Sequence, residues 1–285
     1  MDLKYTLLKE TKVFEGHTLH RIEALKDFGD VKKGDKGGWI EKEFNLSQDE
    51  GCWVGDEACV YGSARVCGYA QVGGNAVISN YSYLSGFAHV YGDAVVCDDT
   101  WLHGHAQVYG NAVICGNAQV YGDAKVYGAA QIYGKARVYG NVSMAGDAQV
   151  YDDAKVYGNA RVYGDAQVRG RAKVFDNAWV YGHAWVYGGA WVYENARVCV
   201  AADVEAKSRI CGDAVVKQMC DCIVIQNWWS SGRWLTYTKS NGKWKVGCFY
   251  GTGKELVRKA YADGKQKGRC YEAIVNAVEK INSIL

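Results

Sequence analysis

Proline is missing altogether from the 285 residues. No apolar run reaches the roughly 18 residues of a membrane-spanning helix. The N-terminus, MDLKYTLLKETKVF, lacks the apolar centre of a secretory signal. A cytoplasmic protein without a membrane partner is therefore expected. There is also no C-x-x-C: the 11 cysteines are scattered and odd in number, and Cys220 and Cys222 form only a C-x-C. In a reducing compartment most of them should be free thiols. Net charge is only +2 and the hydrophobic share is 49%, which excludes a disordered chain. The 35 glycines do not recur every third residue, so collagen is excluded as well. So much glycine without proline asks for many tight turns of one kind.

What is present is a six-residue repeat, Ala-x-Val-Tyr-Gly-Asp/Asn. Its small column starts at Ala58 and recurs every six residues to Ala214, with only Ser82, Thr100, Val142 and Ser208 in place of alanine. Two residues after each small residue stands Val, Ile, Leu or Met, from Val60 to Val216. Ala-x-Val reads as a short strand with its first and third residues facing inward. Tyr-Gly-Asp/Asn reads as the turn, since Gly and Asn tolerate positive φ. One unit cannot bury its apolar side alone, so the units must stack into a solenoid. The run resembles the hexapeptide-repeat proteins. That resemblance implies an all-β, left-handed parallel β-helix with three hexapeptides per coil. The 27 units then make about nine regular coils.

With 18 residues per coil, the outward x positions separate into three faces. The first reads Arg65, Tyr83, Trp101, Gln119, Arg137, Lys155, Lys173, Trp191, Arg209, cationic and aromatic without an acid. The second, from Gln71 and His89 to Arg197 and Val215, is weakly basic. The third carries Val77, Val95, Val113, Gln131, Gln149 and Gln167, a neutral and partly apolar strip that suits an oligomer interface. Members of the resembled family commonly form trimers along such a face, so a homotrimer is expected. Trp179, Trp185 and Trp191 put one tryptophan on each face of a single coil, a ring that reads as a docking collar for the C-terminal segment. Tyr121, Tyr139, Tyr157, Phe175 and Tyr193 line one corner as an aromatic stack, beside an amide ladder of Asn141, Asn159, Asn177 and Asn195. Cys97 and Cys115 stack one coil apart and read as free thiols.

Charge is unevenly spread. Residues 1–57 hold 9 basic and 13 acidic groups, residues 58–216 hold 12 and 13, and residues 217–285 hold 12 and 5. The basic end points to an anionic partner. Three regions follow: an N-terminal cap with irregular first coils (1–51), the β-helix (52–224) and a basic, aromatic α+β domain (225–285). In the cap, Lys12–Glu15 and Leu19–Ala24 can form a hairpin across Gly16-His17, and residues 30–38 read as loop. Cys220 to about Val224 still fits the coil register. In the tail, Trp234–Lys239 and Lys243–Phe249 flank a Ser240-Asn241-Gly242 turn. Thr252 with Glu255 has capping-box spacing for a helix to about Ala262. A second helix is expected from about Cys270 to Ile284, its apolar face Ile274, Ala277, Val278 and Ile281.

Chemistry is less legible. Many hexapeptide-repeat proteins are acyltransferases with a catalytic histidine and a loop that builds the coenzyme A pocket. This run has no such loop, and the resemblance leaves His89 and His105 as candidate bases. The γ-class carbonic anhydrases share the fold and bind zinc with three histidines, but the spacing of His89, His103 and His105 departs from theirs. Gly253-Lys254 lacks the remaining glycine and the Ser/Thr of a P-loop. No metal or cofactor is expected.

Over its whole length the chain resembles a set of phage- and prophage-associated hexapeptide-repeat proteins. The resemblance rests on Arg21-Ile22-x-Ala24-Leu25-Lys26-Asp27-Phe28, Gly37-Gly38-Trp39-Ile40-Glu41, Asn45-Leu46-Ser47 and Gly247-Cys248-Phe249-x-Gly251-Thr252. It implies origin and architecture rather than chemistry.

The expected function is a non-enzymatic, oligomeric binder of a small phosphorylated, nucleotide-like ligand, in a phage protein a host immune signal. Its candidate residues are Trp228, Trp229, Arg233, Trp234, Tyr237, Lys243, Lys245 and Tyr250 of the tail, with Arg137, Lys155, Lys173 and Trp191 of the first face. Guanidinium and ammonium groups suit phosphate, and aromatic rings suit a base. The alternatives are a coenzyme A-dependent acyltransferase and a structural or interaction protein, for which nucleic acid stays open as a partner.

Overall fold

A computed structural model describes residues 3–284. The hexapeptides wind into a parallel β-solenoid. Two-residue strands such as Cys59–Val60, Arg65–Val66 and Gln71–Val72 each pair with the strand 18 residues on, Cys59 with Val77, Arg65 with Tyr83, Gln71 with His89. These ladders make the three faces. The ladder of the second face runs from Trp53–Val54 to Val215–Val216 in ten strands, so the solenoid has about ten turns rather than nine. The extra turn is built by Trp39, Leu46 and Trp53, which lie opposite Cys59, Val66 and Gln71. Two additional residues between Leu46 and Val54 hide this turn from the six-residue period.

The small and branched columns are buried along the whole run. Where hydroxyls replace alanine they are satisfied: Ser82 Oγ donates to Ser79 O (2.7 Å) and Thr100 Oγ1 to Cys97 O (2.6 Å). Strand and turn amides alike donate to the next coil, as Val95 N to Ala112 O (2.9 Å) and Asn111 N to Gly128 O (2.7 Å) show. A proline in the run would delete one of these bonds, which accounts for its absence. At the turn, Gly74 has φ +65°, and a β-carbon there would lie 2.7 Å from Gly92 N. The corner rings stack 4.7–5.0 Å apart from Tyr121 through Tyr193. Side-chain amides bond along Asn141, Asn159, Asn177 and Asn195.

The N-terminal hairpin is longer than expected, Tyr5–Phe14 against His17–Ala24. Its turn is Glu15-Gly16, both at positive φ, not Gly16-His17. Gly37 and Gly38 lie in a strand, Lys36–Ile40, rather than in a loop. A β-carbon at Gly37 would meet the Trp53 ring and Val54 O at 2.5 Å, so only glycine lets the strands approach. This strand joins the hairpin to the ladder of the third face. Buried Lys4 plugs the open end, its Nζ donating to Cys52 O (2.9 Å) and Asp49 O (3.2 Å).

At the other end the coil stops at Val216, short of the expected Val224. Cys222–Gln226 instead begins an antiparallel sheet with Trp234–Thr238, Lys243–Val246 and Phe249–Thr252. The third hairpin connection, through Gly247-Cys248, splits the segment read above as one strand. Helix Gly253–Ala262 starts on the Thr252–Glu255 capping box. The last helix spans Lys265–Ile284 and begins earlier than expected, because Gly268 lets it pack on the Tyr261 ring. Its buried face is Tyr271, Val275 and Val278, with Ile281 exposed. These pack on Leu235, Tyr237, Trp244 and Leu256 in a separate core. Among the described residues no helix is long and apolar enough to cross a membrane.

Candidate functional site

The antiparallel sheet is seated on the last coil by polar contacts. Arg209 N donates to Thr236 Oγ1 (3.0 Å), Val215 N to Ser240 Oγ (2.7 Å), Asn241 Nδ2 to Asp213 Oδ1 (3.0 Å) and Tyr250 Oη to Cys211 O (3.3 Å). The hydroxyls thus take up amides that the end of a β-solenoid would leave unpaired.

Between this sheet and the first face lies a cavity of about 390 Å³. Phe175, Trp191, Tyr193, Lys207 and Arg209 line it from the solenoid, and Arg233, Trp234, Lys245 and Gly247 from the tail. Four cations and no carboxylate meet there. Among the described residues none of the four is ion-paired.

Their roles differ. Arg209 is anchored: its Nη1 donates to Gly189 O and Ser208 O (both 3.0 Å), and its guanidinium lies 4.1 Å from the Trp191 ring centre. Burial pushes its pKa below the ordinary guanidinium value, which still leaves it charged near neutrality. Lys173 Nζ sits 4.4 Å from the same ring, one coil to the other side. Trp191 is therefore sandwiched between two cations and has no free face for a base. Tyr193 is stacked on Phe175 at 5.0 Å. Burial, and then the Cys211 thiol, push its hydroxyl well above the usual range, so it stays protonated. The ring of half-buried Trp234 has Lys207 Nζ 6.0 Å away. Exposed Arg233 stands beside Gly247, where a β-carbon would come within 3.3 Å of Nη1.

Of the residues singled out from the sequence, Trp191, Arg233, Trp234 and Lys245 come together here. Lys173 touches the site only through Trp191, and Lys155 and Arg137 lie one and two coils further along the face. Trp228 is 77% exposed and packs edge-on against Trp229, which leans on Tyr271. Tyr237 is buried and accepts from Asn282 Nδ2 (2.8 Å). Tyr250 serves the docking contact, and Lys243 does not line the cavity. Phe175, Tyr193, Lys207 and Arg209 were missed as site residues. The signal was there in part, since Arg209 ends the cationic-aromatic face next to the tail. The tryptophan collar is not a docking ring. Trp179 is held between Arg161 (4.8 Å) and Arg197 (5.0 Å), and Trp185 lies by Arg169 (5.3 Å).

The histidines do not converge. His89 lines one cavity, of about 480 Å³, with Asp35 and Asp56, and His105 another, of about 600 Å³, with Asp123 and Lys125. His105 stacks on Phe87 and His103 on Tyr121. On the third face, Val77 packs against the Leu19–Trp39–Tyr61 cluster of the cap region, while Gln149 Nε2 reaches Gln131 Oε1 at 3.4 Å.

Comparison with known families matches the YdcK beta-solenoid repeat at residues 106–122, 118–134, 130–146 and 154–170. A curated relative, the "Uncharacterized acetyltransferase YdcK" of Escherichia coli (strain K12), is 34% identical over 84 residues, 26% of each chain. The chain thus spans about a quarter of that relative's length. Together with the parallel solenoid, these matches fit a hexapeptide-repeat family.

Proposed function

We propose that the chain is a non-enzymatic, oligomeric binding protein that holds a small phosphorylated, nucleotide-like ligand in the junction cavity. The observation that carries this reading is a cavity with four cations, aromatic walls and no lining acid. The Arg233 fork pairs with phosphate oxygens, and Lys207 and Lys245 neutralise the remaining charge. Trp234 stacks the base, and anchored Arg209 adds fixed positive potential. The lining holds no histidine, carboxylate or thiol to act as base or nucleophile, which suits capture rather than turnover. In a phage-encoded chain such a ligand would be a host signalling nucleotide withheld from its receptor. Subunits meet along Val95, Val113, Gln131, Gln149 and Gln167 in a homotrimer.

Calorimetric titration with mono-, di- and cyclic nucleotides tests this reading. Saturable binding without product is expected. Arg233→Ala and Lys245→Ala should each weaken it at least about tenfold, the worth of a charge-assisted hydrogen bond. Full affinity in both variants would remove the cavity as the site.

The relative's name favours a second reading, acetyl transfer. The base would then be His89 or His105, in cavities several coils away from the junction cations. Binding of acetyl-coenzyme A with release of coenzyme A, abolished by His89→Ala or His105→Ala, would select it.

A further inference from the structure

A second constellation lies far from the junction, on the corner between the third and first faces. There the tyrosine slot of the repeat is filled, coil by coil, by Tyr61, Ser79, Cys97, Cys115, Tyr133 and Tyr151. Tyr133 and Tyr151 stack at 4.8 Å, and the three smaller residues interrupt that packing. Cys97 and Cys115 are free, partly buried thiols whose register is set by the pairs Val95–Val113 and Val96–Ile114. Asp98 follows in a slot that glycine usually fills, at φ +60°. Its carboxylate is held in place, Oδ2 accepting from Gly116 N and Oδ1 from Asn80 Nδ2, both at 3.0 Å. The two sulfurs and a carboxylate oxygen lie within 4.8 Å of one another.

We propose that Cys97, Cys115 and Asp98 form a binding site for a thiophilic divalent cation of the zinc class. Tetrahedral zinc at about 2.3 Å from sulfur needs its ligands about 3.8 Å apart, which small side-chain rotations reach from this spacing. Thiolates select such ions over magnesium or calcium. The Asp98 carboxylate stands beside the two sulfurs, so a cation entering here meets sulfur and oxygen donors together. Binding must displace the thiol protons, so proton release accompanies it. Three protein donors leave a fourth position for water, the arrangement of an open rather than a closed zinc site.

The test uses the full chain, reduced, with Zn²⁺ in competition with a chromophoric chelator and Cd²⁺ as a spectroscopic probe. One equivalent of Zn²⁺ with proton release is expected, and an ultraviolet thiolate-to-cadmium charge-transfer band. The double variant Cys97→Ser/Cys115→Ser should lose both, while Cys220→Ser/Cys248→Ser, at exposed cysteines elsewhere, should keep both. Asp98→Asn should keep the band and weaken zinc at least about tenfold. Folding is not at risk, because Ser79 and Asn80 already occupy the same columns one coil earlier. A band that survives in the first double variant, its absence from the parent chain, or a Cys97–Cys115 disulfide that persists under reducing conditions would overturn the site.

Discussion

The solenoid and the C-terminal domain hold their cores in different ways. In the solenoid every residue's lateral neighbours stand 18 positions away, so one short pattern sets strand, turn and core at once. In the tail each contact occurs once: Trp244 packs on Tyr237 at 5.1 Å within a core shared by the sheet and two helices. The repetitive part is structurally redundant and chemically uniform. Distinctive side chains gather at the junction with the tail, where the period ends, and at the Cys97–Cys115 corner, where the tyrosine slot changes residue type.

If the two regions are separate cooperative units, Trp244→Ala should have the largest effect and a local one. Removing a buried indole costs about 3–5 kcal/mol. The tail should melt early, followed by circular dichroism, with the solenoid transition unmoved. A single transition that shifts as a whole would show that the regions unfold together and would break the comparison.

A pair of glycines sharpens it. Gly74 in the solenoid and Gly242 in the tail hairpin have nearly the same φ, +65° and +62°. A β-carbon at Gly74 would lie 2.7 Å from the next coil, and one at Gly242 meets nothing within 4 Å. Alanine carries the left-handed penalty at both sites, about 1 kcal/mol, and the clash only at the first, for a total of about 3 kcal/mol. Urea unfolding of both variants measures the difference. Equal losses would mean that the coils adjust their spacing freely.

The same contrast explains what could be read from the sequence. Strand, turn, inward columns, faces, the corner stack and the amide ladder were all legible, because translation by 18 residues supplies every neighbour. The N-terminal turn through Leu46 was legible only as an irregular first coil, since two extra residues break the period. The junction cavity was half legible. Arg233, Trp234, Lys245 and Trp191 stood out by residue type, but Lys207 and Tyr193 belong to the site only because the sheet folds back over the last coils. The face of the last helix was half legible: Val278 is buried and Ile274 packs on the tail core, but Tyr271 and Val275 turn inward while Ala277 and Ile281 face out.

The smallest expected effect concerns how the cap is tied to the solenoid. Arg21 Nη1 donates to Glu57 Oε1 (2.7 Å), Trp39 Nε1 donates to Oε2 (2.9 Å), and Lys12 Nζ lies 3.7 Å from Oε2. The Arg21 hydrogen bond first, and then that of Trp39, hold this carboxyl below the ordinary glutamate value of 4.5. A depressed acid stabilises the fold above its unfolded pKa, and that stabilisation fades as pH falls through the folded value. Glu57→Gln should therefore lower the melting temperature slightly at neutral pH, slightly because the carboxylate is 57% exposed and screened. The gap between the variant and the parent chain should shrink below pH 4.5 and close once the parent carboxyl is protonated. A gap that stays constant into acid would mean that Glu57 holds the hairpin by shape rather than by charge. The cap would then resemble the solenoid, whose joints are backbone ladders indifferent to pH, more than the tail, whose docking rests on side chains.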